Sequence, residues 1–555
     1  MRPAERALDA LRRDRVLLGA LALVQWLVVG GIALAAEHNG WMWFQGGDET
    51  HYYTTSWLLG QGLLPQTPIG YGWSLLTTPV SMLAGANVLD ALPAIVVGQY
   101  LLLLPVGLVA VWAIGESCGG RPLAISAAAL WATLPALSIP LFVERYHPIY
   151  VDAVLPQLLG LANLADFPST IALLVAAALL LKGIDHRSDE LVLLSALATG
   201  FAVGIKPANL VFLAAPLVLL ALARRPVQLL VFGAGLVPAL ATLALWKERG
   251  LGEIPVLARP ESILAGGGTL VAAVGGVSLD RYVDLDWGHL WLNLRQLQEV
   301  FWGMRVLEWF ALAGVFAVGR RSIPKAAFLA TWLGSYVVVK GSAGAATVQD
   351  GTFFRFVQPG LPAYVLLAAA CVLLLPPVWR LVADPPDPAW PRRRLLAAAG
   401  AGIVLLAALP LVVVAVVSPV QEPRTGTYLR DNVFVPVNAF LVRATRDEGS
   451  VRLAWDSQAP GSTRGFYRIL RSEPGEGFYT ALLDVRDGLE CSHGELPVSC
   501  RIYSDIIATT RATTYTDRPP PGRWTYRIAL SANAADDVER GDVVLVSDGA
   551  VVRVP

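Results

Sequence analysis

Two adjacent carboxylates, Asp48 and Glu49, stand about a dozen residues beyond the first apolar run, in the segment Gly46-Gly-Asp-Glu-Thr-His-Tyr-Tyr53. The stretch from 38 to 90 around them holds no Lys or Arg and is crowded with aromatic residues. Such a segment is expected to lie on a membrane surface as amphipathic helices. An acid held there is partly desolvated, which disfavours its charged form and makes it a better proton acceptor. A solvated loop carries acids too, so the pair alone leaves a general base and an ordinary surface charge equally open.

The elements that must position these acids are apolar. Over 555 residues the chain is 55% apolar and only 15% charged. That is too little charge for a wholly water-exposed surface, so lipid must cover part of it. Runs at 16–36, 91–115, 122–142, 167–181, 191–205, 207–223, 226–246, a mixed run ending at 319, and 326–339, 357–375 and 395–417 predict a polytopic α-helical membrane protein with about eleven transmembrane helices. The first run follows Arg2, Arg6, Arg12, Arg13 and Arg15 and lacks a convincing small-residue cleavage site, so it is expected to be retained as a span.

With a cytoplasmic N-terminus, the inner loops carry Arg121, then Lys182 and Arg187, then Arg224 and Arg225, then Arg320, Arg321 and Lys325, and last Arg392, Arg393 and Arg394. The first outer loop has no cation and the second only Arg145. That asymmetry obeys the positive-inside rule, and an odd number of spans puts the tail outside the cytoplasm. A multi-pass plasma-membrane protein with long, chemistry-bearing outer loops is the expected arrangement. Formal net charge is zero, so nothing marks a nucleic-acid partner, and no C-x-x-C spacing suggests a thiolate zinc site.

Past 418 the composition changes. Short alternating runs at 451–455, 465–470, 524–530 and 543–546, separated by turn residues such as Pro519-Pro-Pro-Gly522, predict a C-terminal all-β sandwich. The layout resembles a fibronectin type III domain, with Trp455 as the core tryptophan of an early strand and Tyr526 as the tyrosine of a late one. The division is therefore a transmembrane domain over 1–420 and an extracytoplasmic sandwich over 430–555. Cys491 and Cys500 lie in its long middle; an extracytoplasmic location permits them to pair, and two free thiols is the alternative.

The acidic pair after the first span, the nearby Tyr52, a Leu-x-x-Gly element at 58–62 and the Pro-rich stretch Pro68-Ile-Gly-Tyr-Gly-Trp-Ser-Leu75 resemble the membrane glycosyltransferases of the C superfamily. Relatives there include the aminoarabinose, protein O-mannosyl and rhizobial lipopolysaccharide glycosyltransferases. The likeness covers roughly 1–420 in layout but only short motifs in detail. Ala165-Asp-Phe-Pro-Ser-Thr170 stands where the family often has a second acid, which makes Asp166 its counterpart and Asp152 the competitor. Gly200-Phe-Ala-Val-Gly-Ile-Lys-Pro207 is similar to a glycine-rich span ending in Lys-Gly-Pro, although the glycine after the lysine is missing. Phe354-Arg-Phe-Val-Gln-Pro359 is similar to an Arg-Tyr-x-x-Pro segment.

The resemblance implies an outward-facing site that takes a polyprenyl-phosphate sugar and passes the sugar, with inversion, to an envelope lipid, glycan or protein. Asp48 would be the general base and Glu49 its helper. Lys206 and Arg355 would bind the donor phosphate, or else snorkel to the interface. Asp166 would hold a divalent metal, position Asp48 or cap a helix. His51 and His147 would touch sugar, ligate metal or rest as interfacial histidines. Trp41, Trp43, Trp57 and Trp73 are expected to be interface anchors. Readings of a different class are a transporter or flippase, and a non-catalytic envelope scaffold. The near absence of mid-span charge and of internal repeats speaks against a transporter.

Overall fold

The structure, a computed structural model, describes residues 3–35, 48–65, 67, 69–144, 147, 155–251, 285–301, 303–381, 392–419, 426–429, 433–436, 438–447, 449–459, 465–473, 505–531 and 543–555. Asp152, Cys491, Cys500, Trp41 and Trp43 lie outside the described residues.

Each predicted apolar segment falls in a helix. The chain opens with α1 (Pro3–Ala35), then α2 (Asp48–Gly60), the short strand β1 (Leu63–Leu64) and α3 (Gly72–Ala84). Helix α4 (Val88–Gly98) runs through a π turn into α5 (Leu104–Ser138). The continuous apolar stretch Val88–Leu141 has 54 residues. At about 1.5 Å per residue it is more than twice the thickness of a bilayer core. It reverses at Gly120, whose φ of 69° only glycine adopts without strain, and so supplies two of the predicted spans.

The short α6 (Pro156–Leu159) leads into α7 (Asp166–His186), followed by α8 (Asp189–Ile205), a 3-10 segment Pro207–Leu213, α9 (Ala214–Leu222) and α10 (Pro226–Leu251). Then come α11 (Trp287–Val300), α12 (Met304–Gly319), α13 (Ile323–Gly341), α14 (Thr352–Val357), a 3-10 turn Gln358–Gly360, α15 (Leu361–Ala370), α16 (Pro376–Leu381), α17 (Arg392–Gly402) and α18 (Leu409–Val416). Helix α7 packs between α5 and α8, α8 packs on α10, and α15 joins α5 to α12 and α13. Among the described residues, six stretches are long and apolar enough to cross a membrane, and Pro207–Leu222 is a shorter apolar one.

Beyond α18, β2 (Ser418–Pro419) pairs in parallel with β1. Strands β3 (Gly426–Leu429) and β4 (Val433–Pro436) form a hairpin. The sandwich follows: one sheet runs β5 (Val442–Asp447), β6 (Ser450–Trp455), β9 (Thr514–Asp517). The other joins β8 (Asp505–Thr510), β7 (Phe466–Ser472) and β10 (Gly522–Ser531), with β11 (Val543–Val546) and β12 (Ala550–Val554) sharing the far edge of β10. Between the sheets the buried Trp455 meets Tyr467 edge-on at 5.4 Å, and the buried Tyr526 donates to Asp517 Oδ2 at 2.7 Å. Both aromatic positions read from the sequence are core residues, and the all-β prediction holds.

The first outer segment departs from expectation. Nearly every residue of α2 is buried, polar ones included, so it is enclosed and is no surface-lying amphipathic helix. It packs against β4 of the tail, and Asn87 Nδ2 donates to the Gln458 carbonyl in the sandwich at 2.6 Å. Trp73 is likewise buried, its indole donating to Asn163 Oδ1 at 3.0 Å, and is no interface anchor. The sequence lacks basic residues here because the segment is roofed by protein, which penalises charge as lipid does.

Candidate active site

Four charged side chains from four separate segments meet at the end of the bundle nearest the sandwich. Asp48 and Asp166 are the first residues of α2 and α7, where the helix dipole favours an anion. Lys206 is the residue that ends α8, and Arg355 lies in the last turn of α14, where it favours a cation. Every one of the four thus has the sign its helix end prefers.

Asp166 is the centre, with its side chain 1% exposed. Its Oδ1 accepts from Lys206 Nζ at 2.5 Å and its Oδ2 from Arg355 NH2 at 3.1 Å. Arg355 NH2 also reaches Asp48 Oδ2 at 2.8 Å, and Lys206 Nζ touches the Arg355 carbonyl at 3.5 Å. The Asp48 side chain is 52% exposed. The desolvation expected of it is therefore not found: the buried acid is Asp166, and Asp48 is the one that solvent and a substrate can reach.

Glu49 does different work from its neighbour. It is fully buried, its Oε1 accepts the Asn163 amide at 2.6 Å, and its carbonyl accepts Asn163 Nδ2 at 3.1 Å. Asn163 belongs to the loop that leads into α7, so Glu49 ties the start of α2 to the start of α7 and sets the spacing of Asp48 and Asp166.

His51 is buried one residue pair further on. Burial lowers its imidazole to about 4, opposed by Asp48 and reinforced by Lys247, so the ring is neutral at pH 7. Its Nε2 lies 2.6 Å from Thr67 Oγ1. Tyr52 is also buried; burial, with Asp48 and Asp166 adding to it, pushes its phenol well above the ordinary value, so it remains a protonated hydroxyl. His147 contacts the Phe142 carbonyl at 3.2 Å, a local bond five residues back along the chain.

Sequence reasoning missed the parts that hold this arrangement. Lys247 Nζ donates to the carbonyls of Thr67 and Ile69 at 3.2 and 2.7 Å, and the Trp246 indole donates to Ile69 at 3.1 Å. The segment 70–72 then lies directly on the end of α8: a Cβ on Gly70 would stand 2.2 Å from the Gly204 carbonyl oxygen, and one on Gly204 2.6 Å from Tyr71 Oη. Only glycines allow that approach, which seats the turn carrying Lys206. The signal was present as Gly70-Tyr-Gly72 and the glycines of 200–204, without anything to say that the two stretches meet.

Both oxygens of Asp166 are taken up by cations, and among the described residues no group of three or more His, Cys, Asp or Glu side chains is placed to hold a metal ion. The four charges together can support proton transfer at an accessible carboxylate beside two cations able to bind an anion.

No family model matches the chain, and no curated protein matches it. Solved structures similar to it include the Archaeoglobus fulgidus oligosaccharyltransferase tethered with an acceptor peptide containing the NVT sequon, at 14% identity and a TM-score of 0.38 over 73% of this chain and 56% of that one. The chain thus spans little more than half of that relative's length. ArnT from Cupriavidus metallidurans is also similar, at 15% identity and a TM-score of 0.41 over 72% of this chain and 71% of that one when bound to undecaprenyl phosphate. Its apo state gives 16% and 0.41 over 73% and 74%.

Proposed function

We propose that the chain is a membrane glycosyltransferase that moves one sugar from a polyprenyl phosphate to a hydroxyl of an envelope lipid, glycan or protein, at the extracytoplasmic face. The observation that carries this reading is Arg355 held between Asp48 and Asp166, with Lys206 on the same buried acid. In the reaction so read, Asp48 accepts the proton of the acceptor hydroxyl as its oxygen attacks the anomeric carbon. The bond from that carbon to the phosphate oxygen breaks, and the electron pair leaves on the phosphate. Lys206 and Arg355 meet the charge that develops there. Attack from the side opposite the phosphate inverts the anomeric centre. Asp166 is a positioning residue that holds both cations ready, and Glu49 fixes the distance between the two aspartates.

The test is Asp48→Asn in membranes supplied with polyprenyl-phosphate sugars. Transfer is expected to fall by about 10²–10⁴-fold, the range for loss of a general base. Thermal unfolding should hardly move, because Asp48 is half exposed. Transfer at the wild-type rate would remove Asp48 from this role.

A further inference from the structure

One residue beside the cluster has no function in the reaction described above. Gln358 follows Arg355 by three positions, in the 3-10 turn Gln358–Gly360 that continues α14. Its residue exposure is 2%, yet among the described residues neither its amide oxygen nor its amide nitrogen has a hydrogen-bond partner. The Arg355 Nε, three residues earlier, is buried and unpartnered as well. Nearby backbone groups do find partners: the Arg355 carbonyl accepts from Lys206 and the Pro359 carbonyl from the Trp332 indole at 2.9 Å. The turn packs against α7, the helix that begins with Asp166.

Leaving a buried donor and a buried acceptor unmet is destabilising for each group. A position that needed only to fill space would be served better by Met or Leu. Side chains three apart on a helical turn share a face, about 5–6 Å apart at Cβ. Gln358 therefore stands on the same face of the chain as Arg355. A primary amide offers one acceptor oxygen and two N–H donors, which complements hydroxyls that both give and take hydrogen bonds.

We propose that Gln358 reads hydroxyl groups of the donor sugar, the part of the donor adjoining the phosphate held by Arg355 and Lys206. This rests on the donor reading given above. The residue sets which polyprenyl-phosphate sugar is accepted, while the phosphate itself is bound without it. A neutral amide here also selects against sugars that place a methylene where a hydroxyl is required, because the amide is then left unmet again.

The experiment compares wild type with Gln358→Met, an unbranched apolar side chain of similar length, and with Gln358→Ala. Thermal unfolding is measured without ligand, then binding of sugar-free undecaprenyl phosphate and of a panel of undecaprenyl-phosphate pentoses and hexoses. Q358M is expected to unfold at the same temperature as wild type or higher, since an unmet polar group has been removed. It should bind undecaprenyl phosphate as wild type does. The best sugar-bearing donor should bind or turn over about 10–100-fold less well, chiefly in KM, and a deoxy analogue lacking the recognised hydroxyl should be indifferent to the change.

Loss of unfolding temperature in both variants, or unaltered preference among the sugars, would overturn the assignment. Failure of the wild-type chain to bind undecaprenyl phosphate at all, with Arg355→Ala no different, would instead count against the donor reading. The two failures are read in separate measurements.

Discussion

The two ends of α7 carry charge in different ways. At one end Asp166 is buried, and its two oxygens serve two cations, one of which is shared with the accessible Asp48. At the other end Lys182 pairs with Glu116 at 2.5 Å and Asp185 with Lys325 at 2.6 Å, with Ser117 completing the second pair. In those pairs each carboxylate meets a single cation, and both sit partly in solvent, the Glu116 side chain being 43% exposed. A helix of 21 residues is about 31 Å long, so each set lies near one surface of a bilayer core. The Glu116 pair is of the exposed kind that contributes little, whereas the Asp185 pair is half enclosed, its Lys325 being 13% exposed. A buried acid with two cations is costly to maintain and is retained where its charge has work to do.

The contrast is broken most directly by Asp166→Asn. Removing the buried carboxylate takes away the counter-charge of Lys206 and leaves Arg355 with Asp48 alone, so a loss of about 3–5 kcal/mol is expected, read as a lowered unfolding temperature in lipid or detergent. Asp185→Asn at the opposite end removes a half-enclosed charge-assisted pair and should cost less, about 1.5–3 kcal/mol. Equal losses at the two positions would mean that the ends are held alike and that burial of Asp166 carries no special demand.

A pH series sharpens the same contrast. His51 lies on the Asp166 side, and burial holds its imidazole at about 4 against an ordinary 6.5. Between those values the unfolded chain binds a proton that the folded chain does not, so stability falls as pH falls below about 6.5. At pH 5 the wild type should have lost about 2 kcal/mol of stability relative to pH 7, at 1.36 kcal/mol per unit. His51→Gln, which cannot take up that proton, should show a flatter profile over this window. Parallel profiles for the two proteins would show that His51 is protonated without penalty in the fold.

How far the sequence discloses this site follows from the range of each interaction. Helices and strands were legible because apolar periodicity and turn residues act over a few neighbours, which is why Trp455 and Tyr526 could be placed in a core. Asp166, Lys206 and Arg355 were legible as charges at the ends of apolar runs, where a charge is conspicuous, and Asp48 as an acid in a segment without cations. Their mutual contacts span up to 307 residues of sequence and leave no local mark. The same holds for Asn163, whose side chain and amide bind Glu49 at a separation of 114, and for Lys247 on the Thr67 carbonyl. The enclosure of α2 is not legible in the sequence for a physical reason: a run free of Lys and Arg is equally suited to lipid and to a roof of protein.

The smallest effect is expected at Glu116. Its bond to Lys182 is short, but both side chains keep contact with solvent, 43% and 22% exposed, so most of the attraction is offset by water and by the entropy of holding two long side chains in place. Glu116→Gln should therefore cost less than about 1 kcal/mol. Even that fraction should vanish in 1 M salt, where the screening length is about 3 Å. Transfer should be unaffected, since the pair lies a full helix length from Asp48. The Asp166→Asn loss should by contrast persist in 1 M salt, because buried charges are screened far less. Measuring both variants at low and high salt thus separates a pair that water can replace from a set that it cannot. A salt-resistant loss at Glu116 approaching that at Asp166 would erase the distinction between the two ends of the helix.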